Sequence, residues 1–183
     1  MELKDAIYGR RSIRAYKDTP VEREKLDEVL RAGAYAPSAM NNQARQLLAI
    51  TNKDTLKKIN EAVYAVSDEA TRERIKGRSE SGEFNFFYNA PVLIAVCCDE
   101  KEMRPTEDCA CALENMFLTA YSLGLGSCWI NQLTDICKVE PIYGTLKALG
   151  MKEGYRVYGC CALGYGAVEG KLSRPKTNEI ILA

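Results

Sequence analysis

The densest chemistry in the chain lies near its start, at Arg10-Arg11-Ser12-Ile13-Arg14. If this segment is extended, alternation places Arg10, Ser12 and Arg14 on one face. Two guanidiniums and a hydroxyl on one face suit a phosphate, which arginine binds in a bidentate fashion. If the segment stays helical, Arg10 and Arg14 still meet at i, i+4. The same residues also make an ordinary solvated basic patch, and composition alone favours that reading. A second group, Ala36-Pro37-Ser38-Ala39-Met40-Asn41-Asn42-Gln43, is dense in amide donors and acceptors. It suits the polar edge of a heterocycle, or it is plain turn chemistry. A third, Gly124-Leu125-Gly126-Ser127-Cys128-Trp129-Ile130-Asn131-Gln132, begins with glycines that permit close backbone approach. Its Trp129 to Gln132 stretch either presents backbone N–H groups to a ligand or is a core strand after a helix stop. A fourth, Lys171-Leu172-Ser173-Arg174-Pro175, either closes on the same anion or forms a surface loop.

Other chemistries are poorly supplied. The chain has eight cysteines and no histidine. Cys97-Cys98 and Cys160-Cys161 are adjacent pairs in apolar segments, and no C-x-x-C spacing of a zinc or iron–sulfur site occurs. We read the cysteines as reduced, mostly buried thiols that serve as small apolar residues. No metal site and no catalytic side chain is assigned. Lys plus Arg and Asp plus Glu each number 25, so net charge is zero. That balance argues against a nucleic-acid or membrane-surface binder. No apolar run is long enough to span a bilayer and no secretory signal is visible, so a cytoplasmic location is expected.

The elements that must position these groups follow from periodicity. Leu3, Ala6 and Ile7 predict a short helix ending near Gly9. Thr19-Pro20-Val21-Glu22 reads as the cap and first turn of a second helix that Pro37 ends. Strands are expected at Gln46 to Thr51, Val92 to Cys98, Gly126 to Ile130 and Tyr155 to Leu163. The Val92 run should be central and covered on both faces. Helices are expected at Asp54 to Val66, after a Thr106 cap through 109–123, and at Tyr143 to Leu149. Residues 67–88 read as a helix or ordered loop, a candidate lid. The apolar tail residues Ile180, Ile181 and Leu182 should dock on the same subunit or on a partner. The pattern predicts one domain over residues 1–183, in the α+β class: an α/β sandwich around one sheet.

The four chemical segments, in this order, resemble the nitroreductase family of FMN-dependent oxidoreductases. The resemblance rests on the Arg-Arg-Ser-x-Arg segment and on Pro37, Ser38, Asn41 and Gln43. It rests also on Gly-Leu-Gly-Ser-Cys-Trp-Ile from Gly124 to Ile130, and on a late basic segment with Arg174 and Lys171. It implies a mixed, mostly antiparallel central sheet flanked by helices, in an intertwined homodimer with FMN at the subunit interface. Arg10, Ser12 and Arg14, assisted by Arg11, would contact phosphate, ribityl or ring edge. Ser38 and Asn41 would reach the partner's flavin. The backbone of Ile130, Asn131 and Gln132, beside Trp129, would lie near N5, and Arg174 would complete the phosphate site. NADPH or NADH would donate hydride, and a nitro, quinone or similar small acceptor would receive it by a ping-pong route. The lack of histidine is compatible with that chemistry, because water can supply the protons. Two departures stand near the site: Ala44-Arg45 where the family often has Pro-Trp, and Asn131-Gln132 where many members have Gly-Gly. A flavin-storing or flavin-sensing module, and a thiol-based redox or metal protein, are the competing classes.

Overall fold

In a computed structural model that describes residues 2–170 and 179–182, the apolar periodicities become seven helices and four strands. Helix α1 (Leu3–Gly9) is closed by the Asp5 carboxylate, which accepts the Glu2 N–H at 3.1 Å. Helix α2 (Arg23–Ala34) buries Leu26, Val29 and Gly33. It begins after Glu22, later than the Thr19 cap expected from sequence. The reason is tertiary: Tyr165 accepts the Lys17 N–H through its carbonyl at 2.8 Å, and its hydroxyl lies 2.6 Å from Lys25 and 2.7 Å from Glu22. These contacts keep the preceding residues extended. Strand β1 (Arg45–Ile50) follows, then α3 (Lys53–Val66), capped by Asn52, which accepts the Thr55 N–H at 2.9 Å.

The ambiguous stretch 67–88 resolves into α4 (Glu69–Lys76) and a turn built on buried Asn85. The Asn85 side chain accepts the N–H groups of Phe87 and Asn89 and donates to Asn89. Strand β2 (Val92–Asp99) leads to α5 (Pro105–Ser122). Arg104 rather than Thr106 occupies the cap, with Pro105 in the first turn, where a missing N–H costs nothing. Then come β3 (Gly126–Ile130), α6 (Gln132–Ile136), α7 (Ile142–Ala148) and β4 (Tyr155–Gly164).

The sheet order is β1-β2-β4-β3, and every pair is antiparallel. Alternate residues of β2 feed two cores. Leu93, Ala95 and Cys97 pack with α3, α4, α6 and α7, while Val92, Ile94, Val96 and Cys98 pack with α2 and α5. Coverage on both faces explains why β2 reads as a continuous apolar run, as expected. On the α5 side, α2 approaches so closely that a Cβ on Gly33 would lie 2.9 Å from Met116. Seven cysteines are buried and Cys111 is exposed. Burial raises the Cys97 thiol to about 12, and the Cys109, Cys160 and Cys161 thiols upward too. They are protonated fillers at neutral pH rather than nucleophiles. Ile180, Ile181 and Leu182 are exposed, not docked on their own chain. No described helix is long and apolar enough to cross a membrane.

Candidate functional site

Beyond α1 the chain extends and lies along the β3 edge of the sheet. Ser12 bridges Ser127 in the parallel sense, the parallel component of an otherwise antiparallel array, and the Ile13 N–H donates to Ser127 O at 2.9 Å. The chain after β4 then returns along the other side. Tyr16 bridges Gly166, and the Ala167 N–H donates to Ala15 O at 2.9 Å. The segment is held on both edges, so its side chains are fixed in an alternating array.

Ile13 is the buried member of that array. A Cβ on Gly126 would lie 2.8 Å from its Cγ1, and one on Gly170 would lie 2.3 Å from Arg11 Cβ. Glycine at both positions lets the flanking chains close over Arg11 and Ile13. The sequence thus places a motif glycine, Gly126, against the arginine segment more than a hundred residues earlier.

Ser12 and Arg14 share the opposite face, as alternation predicted. With Arg78, Glu80, Val168, Glu169 and Gly170 they line a cleft of about 540 Å³. Among the described residues Arg14 Nε is buried without a hydrogen-bond partner, and its guanidinium sits 5.9 Å from the Tyr88 ring centroid. Among the described residues Arg14 makes no salt bridge. An unsatisfied buried Nε–H on Arg14 beside the Ser12 hydroxyl and a second arginine, Arg78, is a donor set suited to an oxyanion or a carbonyl-rich ring edge, with Glu80 and Glu169 on the same rim. Arg10 departs from the array. It is the cap residue where α1 ends, and Glu114 of α5 takes its Nε at 3.2 Å. Arg10 and Arg11 instead line an adjoining cleft of about 430 Å³ with Tyr121, Ser127 and Gly166. Arg11 turns back onto Tyr8 O and Arg10 O at 2.7 Å each.

Tyr16 lines a neighbouring cavity with Arg14, Tyr88 and Asn89. Its hydroxyl lies 2.9 Å from Ile13 O and 3.2 Å from Ala162 O, and burial raises its pKa well above the ordinary phenol value. It remains a neutral donor at working pH. Beneath Arg14, Tyr88 and Asn89 adopt left-handed backbone angles, φ 59° and 57°, held by Asn85.

Further along β3, Trp129 is 39% exposed and rests near Phe117, at 6.0 Å between centroids. Its indole N–H donates to the Asn131 side chain. Strand pairing ends at Ile130, and α6 opens at Gln132, so the backbone N–H groups there belong to a helix start without intrahelical partners. The Gln132 side chain lines a cavity with Val66, Ser67, Thr71 and Arg74.

The Pro37–Gln43 loop lies elsewhere. Ala39 N–H donates to the Asp108 carboxylate at 2.9 Å, near the start of α5, whereas the arginine cleft reaches Tyr121 near its end. Those positions are about 20 Å apart at ~1.5 Å per helical residue. The loop enters β1 while the arginine segment borders β3, the opposite sheet edge. One chain therefore does not bring Pro37, Ser38, Asn41 and Gln43 to Arg14. Met40, at the tip, is 80% exposed. Lys171 and Arg174 lie outside the described residues.

Sequence reading overlooked Arg78, Tyr16 and Tyr88. Arg78 sits in a stretch of mixed charge with no motif, and only the fold shows it facing Ser12 and Arg14.

An antiparallel sheet sheathed by helices on both faces, with an arginine-lined cleft at one edge, defines an α+β protein. The chain belongs to the nitroreductase family, whose pattern matches residues 7–165. It is similar to the crystal structure of a nitroreductase with bound FMN from Bacteroides fragilis, at 41% identity and TM-score 0.87, covering 100% of this chain and 99% of that one. It is also similar to a nitroreductase with bound FMN from Desulfitobacterium hafniense, at 26% identity and TM-score 0.88, with the same coverages. A protein of Archaeoglobus fulgidus named as a candidate NADH dehydrogenase/NAD(P)H nitroreductase is 31% identical over 90% of this chain and 85% of its own length.

Proposed function

We propose that the protein is a cytoplasmic FMN-dependent oxidoreductase. It takes reducing equivalents from NADH or NADPH and passes them to a nitro, quinone or similar small organic acceptor by a ping-pong route. The observation that carries this reading is the buried Arg14 Nε, without a partner among the described residues, beside Ser12 and Arg78. FMN held by these residues would supply the hydride-transfer redox chemistry. The chain's own groups bind and orient. Arg14, Ser12 and Arg78 supply fixed donors in a partly dry cleft, where such donors stabilise negative charge without reorganising. Arg10, Arg11, Lys171 and Arg174 add positive potential for the phosphate. The backbone at Ile130, Asn131 and Gln132, beside Trp129, borders the reacting edge.

The functional unit in this reading is a homodimer. The diagonal placement of Pro37, Ser38, Asn41 and Gln43 supports it, because those residues can serve a site only on another chain. The exposed tail residues Ile180, Ile181 and Leu182 have apolar surface for that partner to cover. The purified dimer is expected to take up a single FMN per chain. Initial rates with donor and acceptor both varied should give parallel double-reciprocal lines. Intersecting lines would contradict the ping-pong route, and bound FMN with no turnover would favour a storage or sensing role.

A further inference from the structure

The loop Ser38–Gln43 holds an improbable shape. Met40, Asn41 and Gln43 all have left-handed backbone angles, φ 50°, 56° and 52°, and none is glycine. Such a run persists only where surrounding contacts over-determine it. The backbone that leads into the loop is held by Arg45, one of the two residues that replace the Pro-Trp often found after this loop in the family.

The Arg45 guanidinium binds three backbone carbonyls. It donates to Ala36 O at 2.5 Å, to Pro37 O at 2.6 Å and to Asp108 O at 2.9 Å. The first two carbonyls lie just past the Tyr35 cap of α2, where the chain turns towards the loop. The third belongs to the first turn of α5. One planar fork thus ties the end of one helix to the start of another, with the loop between them. Asp108, itself buried, completes the tie by accepting the Ala39 N–H. At the other end Ser38 Oγ accepts the Gln43 N–H at 3.0 Å, and Asn42 donates to Glu102 at 2.9 Å. A lysine could satisfy only part of this arrangement, because it has no fork.

We infer that Arg45 is a positioning residue, which pre-forms the Ser38–Gln43 loop for its role in the partner subunit's flavin site. The inference rests on the homodimeric flavin reading above. Arg45 acts through the loop, by removing the cost of ordering Ser38 and Asn41 on binding.

The test compares wild type with Arg45→Ala and Arg45→Lys. Fluorescence quenching gives the FMN dissociation constant, visible circular dichroism gives the environment of the bound ring, and amide hydrogen exchange follows Ala39 and Gln43. Arg45→Ala is expected to weaken FMN binding by about tenfold or more, to change the visible dichroism and to expose both amides to exchange. Arg45→Lys should fall between. A merely structural role would lower the unfolding temperature but leave the folded protein's FMN affinity and dichroism unchanged, and that result would overturn the inference. If Arg45→Ala does not fold, Arg45→Lys and wild-type exchange still decide: unprotected Ala39 and Gln43 amides in wild type would contradict a pre-formed loop. If wild type binds no FMN, the flavin reading falls, and exchange alone then judges the clamp.

Discussion

Arg14→Ala is expected to raise the FMN dissociation constant by about 10- to 150-fold, since a hydrogen bond to a charged group contributes roughly 1.5–3 kcal/mol. The expectation comes from what Arg14 lacks. Its Nε is buried with no partner among the described residues, so the flavin-free protein carries an unsatisfied donor that a ligand can take up. The same substitution should therefore leave the thermal stability of the flavin-free protein unchanged or raise it. That opposition of signs is the diagnostic, because a site residue held for binding trades stability for function. Arg11→Ala should have a much smaller effect on FMN, since its guanidinium is already spent on Tyr8 O and Arg10 O. Titration of flavin fluorescence at fixed ionic strength, with parallel unfolding of the apo form, measures both. An unchanged FMN affinity in Arg14→Ala would remove the central residue from the site.

Gly126→Val is expected to destabilise the fold by about 1–3 kcal/mol, the usual cost of overpacking a close-packed contact. Unfolding temperature should fall by about 2–4 °C for each kcal/mol in a domain of this size. The backbone is not the obstacle, because Gly126 lies in strand β3, a conformation valine favours. The obstacle is Ile13, whose Cγ1 and Cβ would sit 2.8 and 3.0 Å from the new Cβ. Relief requires the arginine segment to move off the sheet edge, which stretches the Ile13–Ser127 hydrogen bond and displaces Ser12 and Arg14. FMN affinity should drop with stability. Adding Ile13→Ala to Gly126→Val should recover part of the stability, a coupling expected only between touching residues. Denaturant unfolding of the four members of this cycle checks it, and strictly additive effects would contradict the packing described.

Much of this architecture was legible in the sequence. The apolar β2 run announced a strand covered twice, and the glycine-terminated α1 ended where expected. The failures share a cause. Thr19-Pro20 carries a good local helix start, yet Lys17, Glu22 and Lys25 are tied to Tyr165, far away in the chain, and α2 begins late. The turn before β2 depends on one buried asparagine that satisfies its neighbours' N–H groups, a contact with no periodic signature. The site divides in the same way. Alternation correctly paired Ser12 with Arg14, but Arg10 was captured by Glu114, and no local rule reports a partner on another helix. Arg78 entered the cleft from a stretch whose composition indicates only solvent exposure. The Ala44-Arg45 departure from Pro-Trp carries no structural reading in the sequence, whereas in three dimensions Arg45 is a carbonyl-binding brace.

The central claim is that the Ser12–Arg14 cleft holds a flavin that reduced nicotinamide can reach. Anaerobic titration of the FMN-loaded protein with NADH, and separately with NADPH, tests it most directly. The account predicts that the flavin band near roughly 450 nm bleaches with at least one donor and returns when a nitro compound or quinone is added. Protein that cannot be loaded with FMN, or a loaded band that neither donor bleaches, would contradict it.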